Sequence, residues 1–433
     1  MLKKIWERLK ADYTPKSVEI LRKGYSLALF KRDCISGLTV SIVSLPLAMA
    51  LAIASGLTPA QGLYTAIVAG FVIALMGGSR FQIGGPTGAF AIVVLEVLQS
   101  YGYNGLVASM ILTGILLIAA GFMKLGSYIK YIPYPVIIGF TAGIGLILIT
   151  SQVKDFLGLT RDDIPSAFLQ RWYIYIVSIP QTNWAAAFIG FLSLALYLGI
   201  KKFTPKIPVY LAILIVTTIV TYFFNLPVET IGSKYGDLPK MLPAPEFPKM
   251  SLDLFRLVFP SALTVAFLAA VESLLSAKVV DSMSGDVHNP NAELVGEGLA
   301  NITAAAFFGL PATGAIARTA TNYKANAYSP VSGMMQSVFL LCFMFCLSPL
   351  VKFIPLSSLA LILIMIGWNM LNLDKMLGLV KSLPGDRYTL LVTVILTVVV
   401  NLSAAIAVGF IMAAVIFMHR MSKEIELANM DKV

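Results

Sequence analysis

A five-residue pattern of threonine, glycine and small or apolar residues occurs once in each half of the chain, and a proline (Pro86 or Pro311) shortly precedes each copy. The two copies are Thr87-Gly88-Ala89-Phe90-Ala91 and Thr313-Gly314-Ala315-Ile316-Ala317. The apolar stretch after each copy is shorter than the roughly 20 residues that cross a bilayer. Short segments interrupted by glycine and proline at matching positions of two halves are typical of a transporter's binding site. The pattern therefore predicts that a small solute binds between the two copies.

The chemistry that these segments suit best is the binding of an anion. Glycine and proline favour non-helical backbone before each segment, so we expect Thr87 and Thr313 to cap the helices that follow. The unpaired N–H groups at a helix start attract negative charge, and Gly88 and Gly314 let a ligand approach the backbone. Two such starts meeting from opposite directions near the membrane midplane would form a positive pocket. The alternative is that both breaks serve only helix packing.

Three polar side chains stand out in the apolar surroundings of these segments. Arg318 lies one turn into the second segment and, as a permanent cation with a planar donor fork, could complete an anion site. Glu272 and Ser276 lie one turn apart on one face of an apolar stretch, where they could bind a proton or a sodium ion. The alternatives are that Arg318 extends to the cytoplasmic surface and that Glu272 forms only a structural pair.

The candidate residues form two groups. We expect the substrate to be bound by Thr87, Gly88, Ala89, Phe90, Thr313, Gly314, Ala315, Ile316 and Arg318. We expect the coupling ion, a proton or sodium, at Glu272 and Ser276, and we predict no other metal site and no cofactor. The sequence contains no Walker loop, HExxH motif or nucleophile elbow, so it supports neither an ATP-driven pump nor an enzyme.

The composition determines the class of protein that carries these residues. Of the 433 residues, 58% are apolar and only 12% are charged, and the mean hydropathy is +0.84. These values lie far outside the range of soluble proteins and predict an all-α polytopic membrane protein. The formal net charge of +10 is concentrated before the first apolar stretch, which favours a cytoplasmic N-terminus beside anionic lipid rather than a nucleic-acid partner.

The apolar stretches predict fourteen membrane segments in two sets of seven. The first set is 33–54, 60–77, 87–99, 105–123, 134–153, 184–200 and 208–224, and the second is 257–280, 293–309, 314–325, 331–350, 356–371, 388–400 and 403–419. The third and tenth segments are too short to cross alone, so we expect half-helices. An odd number of segments per set inverts the second copy in the membrane.

The same reading divides the chain into four parts. We expect a cytoplasmic N-terminal segment (1–32), a first inverted repeat (33–225), a second inverted repeat (253–420) and a cytoplasmic tail (421–433). Lysine and arginine concentrate in the short turns that this topology places in the cytoplasm, which agrees with two cytoplasmic termini. We therefore expect a multi-pass protein of the inner (plasma) membrane.

Several motifs of the sequence resemble those of the SulP (sulfate permease) family of anion transporters, over about residues 31 to 420. They are Arg32-Asp33, Gly37-Leu38-Thr39-Val40, Ser44-Leu45-Pro46-Leu47-Ala48, Gly62-Leu63-Tyr64, Gln82-Ile83-Gly84-Gly85-Pro86-Thr87-Gly88-Ala89-Phe90, Glu272-Ser273-Leu274-Leu275-Ser276 and Pro311-Ala312-Thr313-Gly314-Ala315-Ile316-Ala317-Arg318-Thr319-Ala320-Thr321-Asn322. The resemblance implies a seven-plus-seven inverted repeat, often dimeric. It also implies that a core domain (segments 1–4 and 8–11) slides as an elevator against a gate domain (segments 5–7 and 12–14).

The resemblance also assigns roles to individual residues. Phe90, Gly314, Ala315 and Arg318 match substrate-site positions of the family. Glu272 and Ser276 match positions at which bicarbonate-transporting relatives have a sodium-binding Asp and Thr. Other members that have Glu at the first of these positions resemble proton-coupled transporters. Members typically carry a cytoplasmic STAS domain after the last segment, and this chain ends about a dozen residues beyond it, so we expect a membrane domain without a STAS domain.

Taken together, the sequence predicts a secondary active transporter of a small anion such as sulfate, bicarbonate or a dicarboxylate. It leaves open which anion is carried and whether a proton or sodium drives transport. Two alternatives remain at this stage. A nucleobase:proton symporter has a similar fold but would need carboxylates where this chain has Gly314, Ala315 and Arg318. An anion channel could use the same positive pocket.

Overall fold

The computed structural model describes residues 13–131, 133–161, 165, 167–204, 207–248, 250–382, 384–400, 404–416 and 418. The predicted N-terminal segment (1–32) is thus described only from residue 13, and the predicted tail (421–433) lies outside the described residues. In the described part, helices dominate and the only regular sheet is one pair of two-residue strands.

The helices and strands follow the apolar stretches of the sequence. The first half contains α1 (Lys16–Arg22), α2 (Leu27–Ala54), α3 (Pro59–Met76), β1 (Gly84–Gly85), α4 (Gly88–Phe122), a 3₁₀ helix (Leu125–Tyr131), α5 (Tyr134–Leu157), α6 (Phe168–Ser178), a short 3₁₀ turn (Ile179–Gln181), α7 (Trp184–Phe203), α8 (Val209–Phe223) and α9 (Ile231–Tyr235). The second half contains α10 (Leu252–Ser284), α11 (Pro290–Ala306), β2 (Thr313–Gly314), α12 (Ile316–Lys324), α13 (Val331–Val351), α14 (Leu356–Leu371), α15 (Leu373–Val380), α16 (Pro384–Val399) and α17 (Ala404–Ile416).

The described helices are long and apolar enough for a chain that crosses the membrane several times. Eight regions meet both conditions, namely α2, α3, α4, α5, α7, α10, α13 and the stretch Leu356–Val380, while α8 and α17 are shorter apolar helices. A membrane span of about 20 residues places its backbone hydrogen bonds within the helix, which is why such stretches fold as helices in lipid. The chain is therefore a multi-pass integral membrane protein, and the number of fourteen segments stays a prediction.

The two predicted half-helices correspond to two recognisable features. Helix α4 is interrupted at Gly102, whose backbone angles (φ 66°, ψ −173°) are not helical, so 88–101 and 103–122 are separate segments on either side of a kink. Glycine adopts this conformation without the steric cost that a side chain would add. The second, α12, has nine residues and spans only about 14 Å. Both lengths agree with the expectation that neither segment crosses the membrane alone.

Strands β1 and β2 connect the two halves of the chain directly. They are antiparallel, with Gly84 opposite Gly314 and Gly85 opposite Thr313. The pairing requires glycine: Gly85 has φ +147°, and a Cβ on Gly314 would lie 1.8 Å from Gln82 Nε2. This contact between residues so distant in sequence places the two recurring segments side by side.

Close helix packing surrounds this strand pair. A Cβ on Gly114 would lie 2.5 Å from the carbonyl oxygen of Gly298, and a Cβ on Gly298 would lie 2.5 Å from that of Gly114, so α4 and α11 touch through their backbones. Gly145 of α5 and Gly367 of α14 make the same reciprocal contact, at 2.6 and 2.8 Å. Small residues at such crossings let membrane helices pack through van der Waals contact and weak backbone interactions.

Several short helices were not predicted from the sequence. They are α1, α6, α9 and α15, and none of them is long enough to cross a membrane. Helix α6 contains Arg171 and Gln170 among exposed aromatic residues, which fits a helix lying at a polar boundary rather than a span. A search for long apolar stretches overlooks helices of this kind.

Candidate functional site

The first recurring segment begins helix α4 beside helix α10. Thr87 occupies the N-cap position of α4, as predicted, but its side chain does not accept a bond from the helix. Instead the Thr87 hydroxyl donates a hydrogen bond of 2.7 Å to Glu272 Oε2 in the middle of α10. The start of α4 is therefore tied to the predicted coupling residue by a direct contact.

The second recurring segment begins differently. Helix α12 starts at Ile316 with Ala315 as its N-cap, whereas Thr313 lies in β2. The prediction that Thr313 caps the helix is wrong, because strand pairing and the bond from Ala315 N–H to Ile83 O (2.9 Å) keep the backbone extended to residue 315. The Thr313 hydroxyl instead donates to Ala269 O of α10 at 2.9 Å.

Arg318 lies inside the protein and extends towards the first break. Arg318 is only 3% exposed, and its Nη2 donates a hydrogen bond to Pro86 O. Nη1 is buried and has no hydrogen-bond partner among the described residues, and a Cβ on Gly85 would lie 2.8 Å from it. A guanidinium group of the second half thus contacts the backbone break of the first half and keeps a donor free.

Glu272 and Ser276 share one face of α10 but contact different elements. Glu272 accepts the bond from Thr87, and Arg318 lies near enough to act on it electrostatically. Ser276 donates to Thr319 Oγ1 of α12 at 3.1 Å, and Thr319 Oγ1 accepts from Ile83 N–H at 3.0 Å. The described contacts of Glu272 and Ser276 therefore lie on different elements and do not direct the two side-chain oxygens at a common ion.

The remaining predicted residues line the two helix starts. Ala89 and Phe90 are buried (1% and 0% exposed) in an apolar cluster formed with α10 and α11. Gly88 faces α14, since a Cβ there would lie 3.0 Å from Met370 Sδ. Ile316 is 44% exposed and Ala317 is also exposed, whereas the other residues of the two five-residue copies are buried or partly buried.

The first-turn N–H groups of both helices are available at this point. In an α-helix the first N–H groups have no acceptor within the helix, and here they belong to Gly88 and Ala89 of α4 and to Ile316 and Ala317 of α12. Together with the free Nη1 of Arg318, they provide donors and positive potential from two directions. Such a set of donors can bind a small anion.

Sequence reasoning missed several polar residues around the strand pair. Gln82, buried beside Gly314, donates to Ser273 O and Ser273 Oγ at 3.1 and 2.8 Å. Glu293 and Glu297, one turn apart on α11, are both 0% exposed. The available signal was the presence of carboxylates in or beside a predicted apolar segment (293–309), which marks functional candidates in membrane proteins.

Comparison with known proteins identifies relatives of this arrangement. A family model described as the sulfate permease family matches residues 30–396. YvdB of Bacillus subtilis (strain 168), whose name refers to sulfate transport, is 41% identical over 410 residues, which are 94% of this chain and 77% of YvdB. The bicarbonate transporter BicA of Picosynechococcus sp. is 29% identical over 408 residues, 90% of this chain and 70% of BicA.

The fold is also found among solved structures. The transmembrane domain of a cyanobacterium bicarbonate transporter, BicA, matches with a TM-score of 0.75 and 26% sequence identity, and the match covers 90% of this chain and 98% of that domain. The sequence match and the structural match agree over nearly the same length. Both confirm the resemblance that the motifs indicated.

Proposed function

Because the chain belongs to the sulfate permease family, whose members are anion transporters and not enzymes, we propose that it is a secondary active transporter of a small anion. The anion is sulfate, bicarbonate or a dicarboxylate. It binds between the starts of α4 and α12, and a proton taken up at Glu272 drives its movement. The relatives' names support the substrate class, and the geometry of the site supports the position.

The observation that carries this proposal is the buried guanidinium of Arg318. It connects the two backbone breaks through Pro86 O, while Nη1 has no partner among the described residues. A buried, unpaired donor of a cation is costly, and a bound anion offsets that cost. The unpaired N–H groups at the starts of α4 and α12 add to the positive potential.

The position of Glu272 supports the proposed coupling to a proton. When ionised, its carboxylate offers Arg318 a competing negative charge inside the membrane. Protonation removes that competitor and leaves the guanidinium available for the anion. Proton and anion therefore bind more strongly together than separately, which is the thermodynamic requirement for symport.

Movement through the membrane uses the two-fold organisation of the chain. We propose that residues 33–225 and 253–420 are inverted repeats, supported by the antiparallel contact of β1 with β2. Segments 1–4 and 8–11 would form a core that moves as an elevator against segments 5–7 and 12–14. We also propose that both termini lie in the cytoplasm and that the protein forms homodimers.

The test is uptake into proteoliposomes of radiolabelled sulfate, bicarbonate and fumarate. Each anion is offered with an inward proton gradient, an inward sodium gradient or neither. We expect saturable uptake of one anion that the proton gradient stimulates. Stimulation by sodium alone would contradict the assignment of a proton to Glu272. If folded, inserted protein takes up none of the three anions, the transporter proposal is contradicted. Single-channel currents would contradict it as well.

A further inference from the structure

Glu297 is a buried carboxyl group that the proposed transport cycle does not use. It lies in the middle of α11 and is 0% exposed, and neither carboxylate oxygen has a hydrogen-bond partner among the described residues. An ionised carboxylate that is buried without a partner is strongly unfavourable. The Glu297 carboxylate therefore needs a cation beside it, either a proton or a metal ion.

On the two flanking turns of α11, the polar side chains have hydrogen-bond partners. One turn earlier, Glu293 Oε2 accepts N–H bonds from Gly78 (2.7 Å) and Ser79 (2.9 Å). One turn later, the Asn301 side chain bonds both the N–H and the carbonyl of Ala312, at 3.0 Å each. Glu297 lies between these two anchors on the same face of the helix, with none of these partners.

The hydroxyl groups nearest to Glu297 donate their protons to other acceptors. Thr313 and Ser273 lie beside it. Thr313 donates its proton to Ala269 O, which is an acceptor only, and Ser273 donates to Glu293 Oε1 at 3.3 Å. Each hydroxyl has a single proton, so both direct lone pairs rather than protons at Glu297. In this arrangement the Thr313 oxygen can accept a hydrogen bond from a carboxylic acid at position 297.

Among the described residues, no basic side chain is found to act on Glu297 either. The charged groups that act on it are Glu293 on its own helix and Glu272 on α10, and both are acidic. Helices α3 and α4, which pack on the same helix, contain no lysine or arginine within their described ranges, and the two basic residues of α10, Arg256 and Lys278, are exposed. Gly126 of the 3₁₀ helix lies against Pro290 of α11, about two turns from Glu297.

The tight packing at this position favours a proton over a metal ion. A Cβ on Gly296 would lie 2.7 Å from Gly77 N, and one on Gly298 would lie 2.5 Å from Gly114 O, so the backbone around Glu297 is in close contact with its neighbours. A sodium ion would need several oxygen ligands arranged around it. A proton bound to Glu297 needs only one hydrogen-bond acceptor, and the Thr313 oxygen can be that acceptor.

We infer that Glu297 is a proton-binding site of this protein, distinct from Glu272, and that it is a neutral acid in this conformation. Because Thr313 precedes Gly314 in the anion site, loss of this proton places a negative charge directly behind the bound anion. Glu297 therefore makes anion binding sensitive to alkaline pH. The effect on transport rests on the proposed function, whereas the presence of the proton does not.

The first test measures the thermal stability of the purified full chain in detergent from pH 5 to pH 9. Glu297→Gln mimics the neutral acid, so its Tm should equal that of the wild type near pH 5. Unfolding of the wild type releases the proton, so the Tm advantage of Glu297→Gln should grow by about 1 to 2 °C per pH unit above pH 5. Glu293→Gln is the matched control, equally buried on the same helix, and should lower Tm at every pH.

A second readout observes the proton directly. The infrared spectrum of the wild type at pH 7 should contain the carbonyl band of a protonated carboxylic acid, and Glu297→Gln should remove intensity from it. A Tm of Glu297→Gln below the wild type at pH 8, a pH-independent difference, or unchanged band intensity would overturn the inference. If Glu297→Gln does not fold, Glu297→Leu should fold, and failure of both variants would overturn it as well.

The third readout depends on transport. Anion uptake should decline from pH 6 to pH 9 in both proteins. The decline should be several-fold larger in the wild type than in Glu297→Gln. If stability and infrared results support the proton while uptake is absent, the proposed function fails and the proton site stands. An identical pH profile of uptake in both proteins would overturn the link between Glu297 and the anion.

Discussion

Thr87 and Glu272 are joined by a hydrogen bond of 2.7 Å, although they belong to different halves of the chain. The bond connects the start of α4, where the anion is proposed to bind, with the residue proposed to take up the proton. Because the Thr87 hydroxyl donates this hydrogen bond, it stabilises the ionised form of Glu272. Protonation of Glu272 removes that stabilisation. The contact is thus a short physical path between the proposed proton site and the proposed anion site.

Replacement of Glu272 by glutamine should uncouple transport from its driving gradient. The amide keeps the size of the side chain but cannot take up a proton, so uptake with and without a proton gradient should become equal within about two-fold. The measurement is anion uptake into proteoliposomes under both conditions. Thr87→Val, which removes the hydroxyl but leaves Glu272, should retain gradient dependence at a reduced rate. Full wild-type dependence in Glu272→Gln would refute the coupling role.

Replacement of Arg318 by alanine should abolish uptake while the protein stays folded. The change removes the buried cation and its free donor, and charge-assisted bonds of about 1.5–3 kcal/mol each predict a loss of at least 10- to 100-fold. Lys324→Ala, in the last turn of the same helix and exposed, is the matched control and should transport normally. Unchanged uptake in Arg318→Ala would remove Arg318 from the site.

Replacement of Gly314 by alanine should disrupt the strand pair. The new Cβ would lie 1.8 Å from Gln82 Nε2, so Gln82 must give up its bonds to Ser273. Overpacking of this kind costs about 1–3 kcal/mol of unfolding free energy, and uptake should fall with it. Gly199→Ala in α7 has nothing within 4 Å of the added Cβ and should leave both properties unchanged. Equal Tm values for the two variants would contradict the close packing at Gly314.

Replacement of Asp33 by asparagine should weaken the contact between α2 and the start of α13. Asp33 is fully buried and accepts N–H bonds from Tyr328 (2.6 Å) and Ser329 (3.1 Å) and hydroxyl bonds from Ser329 and Tyr25. Burial and the neighbouring Asp33 carboxylate raise the pKa of Tyr25, so Tyr25 stays a neutral donor.

An amide at position 33 would direct its own N–H groups at some of these donors, which predicts a loss of about 2 kcal/mol of unfolding free energy. The check is the Tm in detergent. Asp253→Asn, at an exposed position in the first turn of α10, should leave the Tm within 1 °C of the wild type. A wild-type Tm for Asp33→Asn would show that the four bonds contribute nothing net.

The positions of most helices could be predicted because apolar length is a local property. The predicted segment 356–371 coincides with α14, and 331–350 differs from α13 by one residue. Lipid leaves an apolar stretch few options besides a helix, so composition alone determines these elements. The short helices α1, α6, α9 and α15 escaped prediction because they depend on a polar boundary and on neighbours rather than on apolar length.

The recurring segments were also predictable as a site, because glycine and proline mark backbone breaks wherever they occur in an apolar stretch. Their partners were not. That Thr313 would lie in a strand and bond Ala269, rather than cap a helix, depends on the pairing of Gly85 with Thr313 across the whole fold. Pairing between residues this far apart leaves no local trace in the sequence.

The sequence by itself determined the class of protein, the family, the positions of the main helices and the choice of Arg318 and Glu272 as functional candidates. Only the tertiary structure decided which polar atoms meet: Arg318 with Pro86 O, Glu272 with Thr87, and Glu297 with no hydrogen-bond partner in the part of the chain that the structure describes. The reason is physical. Apolar length and backbone breaks are local properties of a chain, whereas the pairing of buried polar groups depends on the relative positions of helices that only the complete fold establishes.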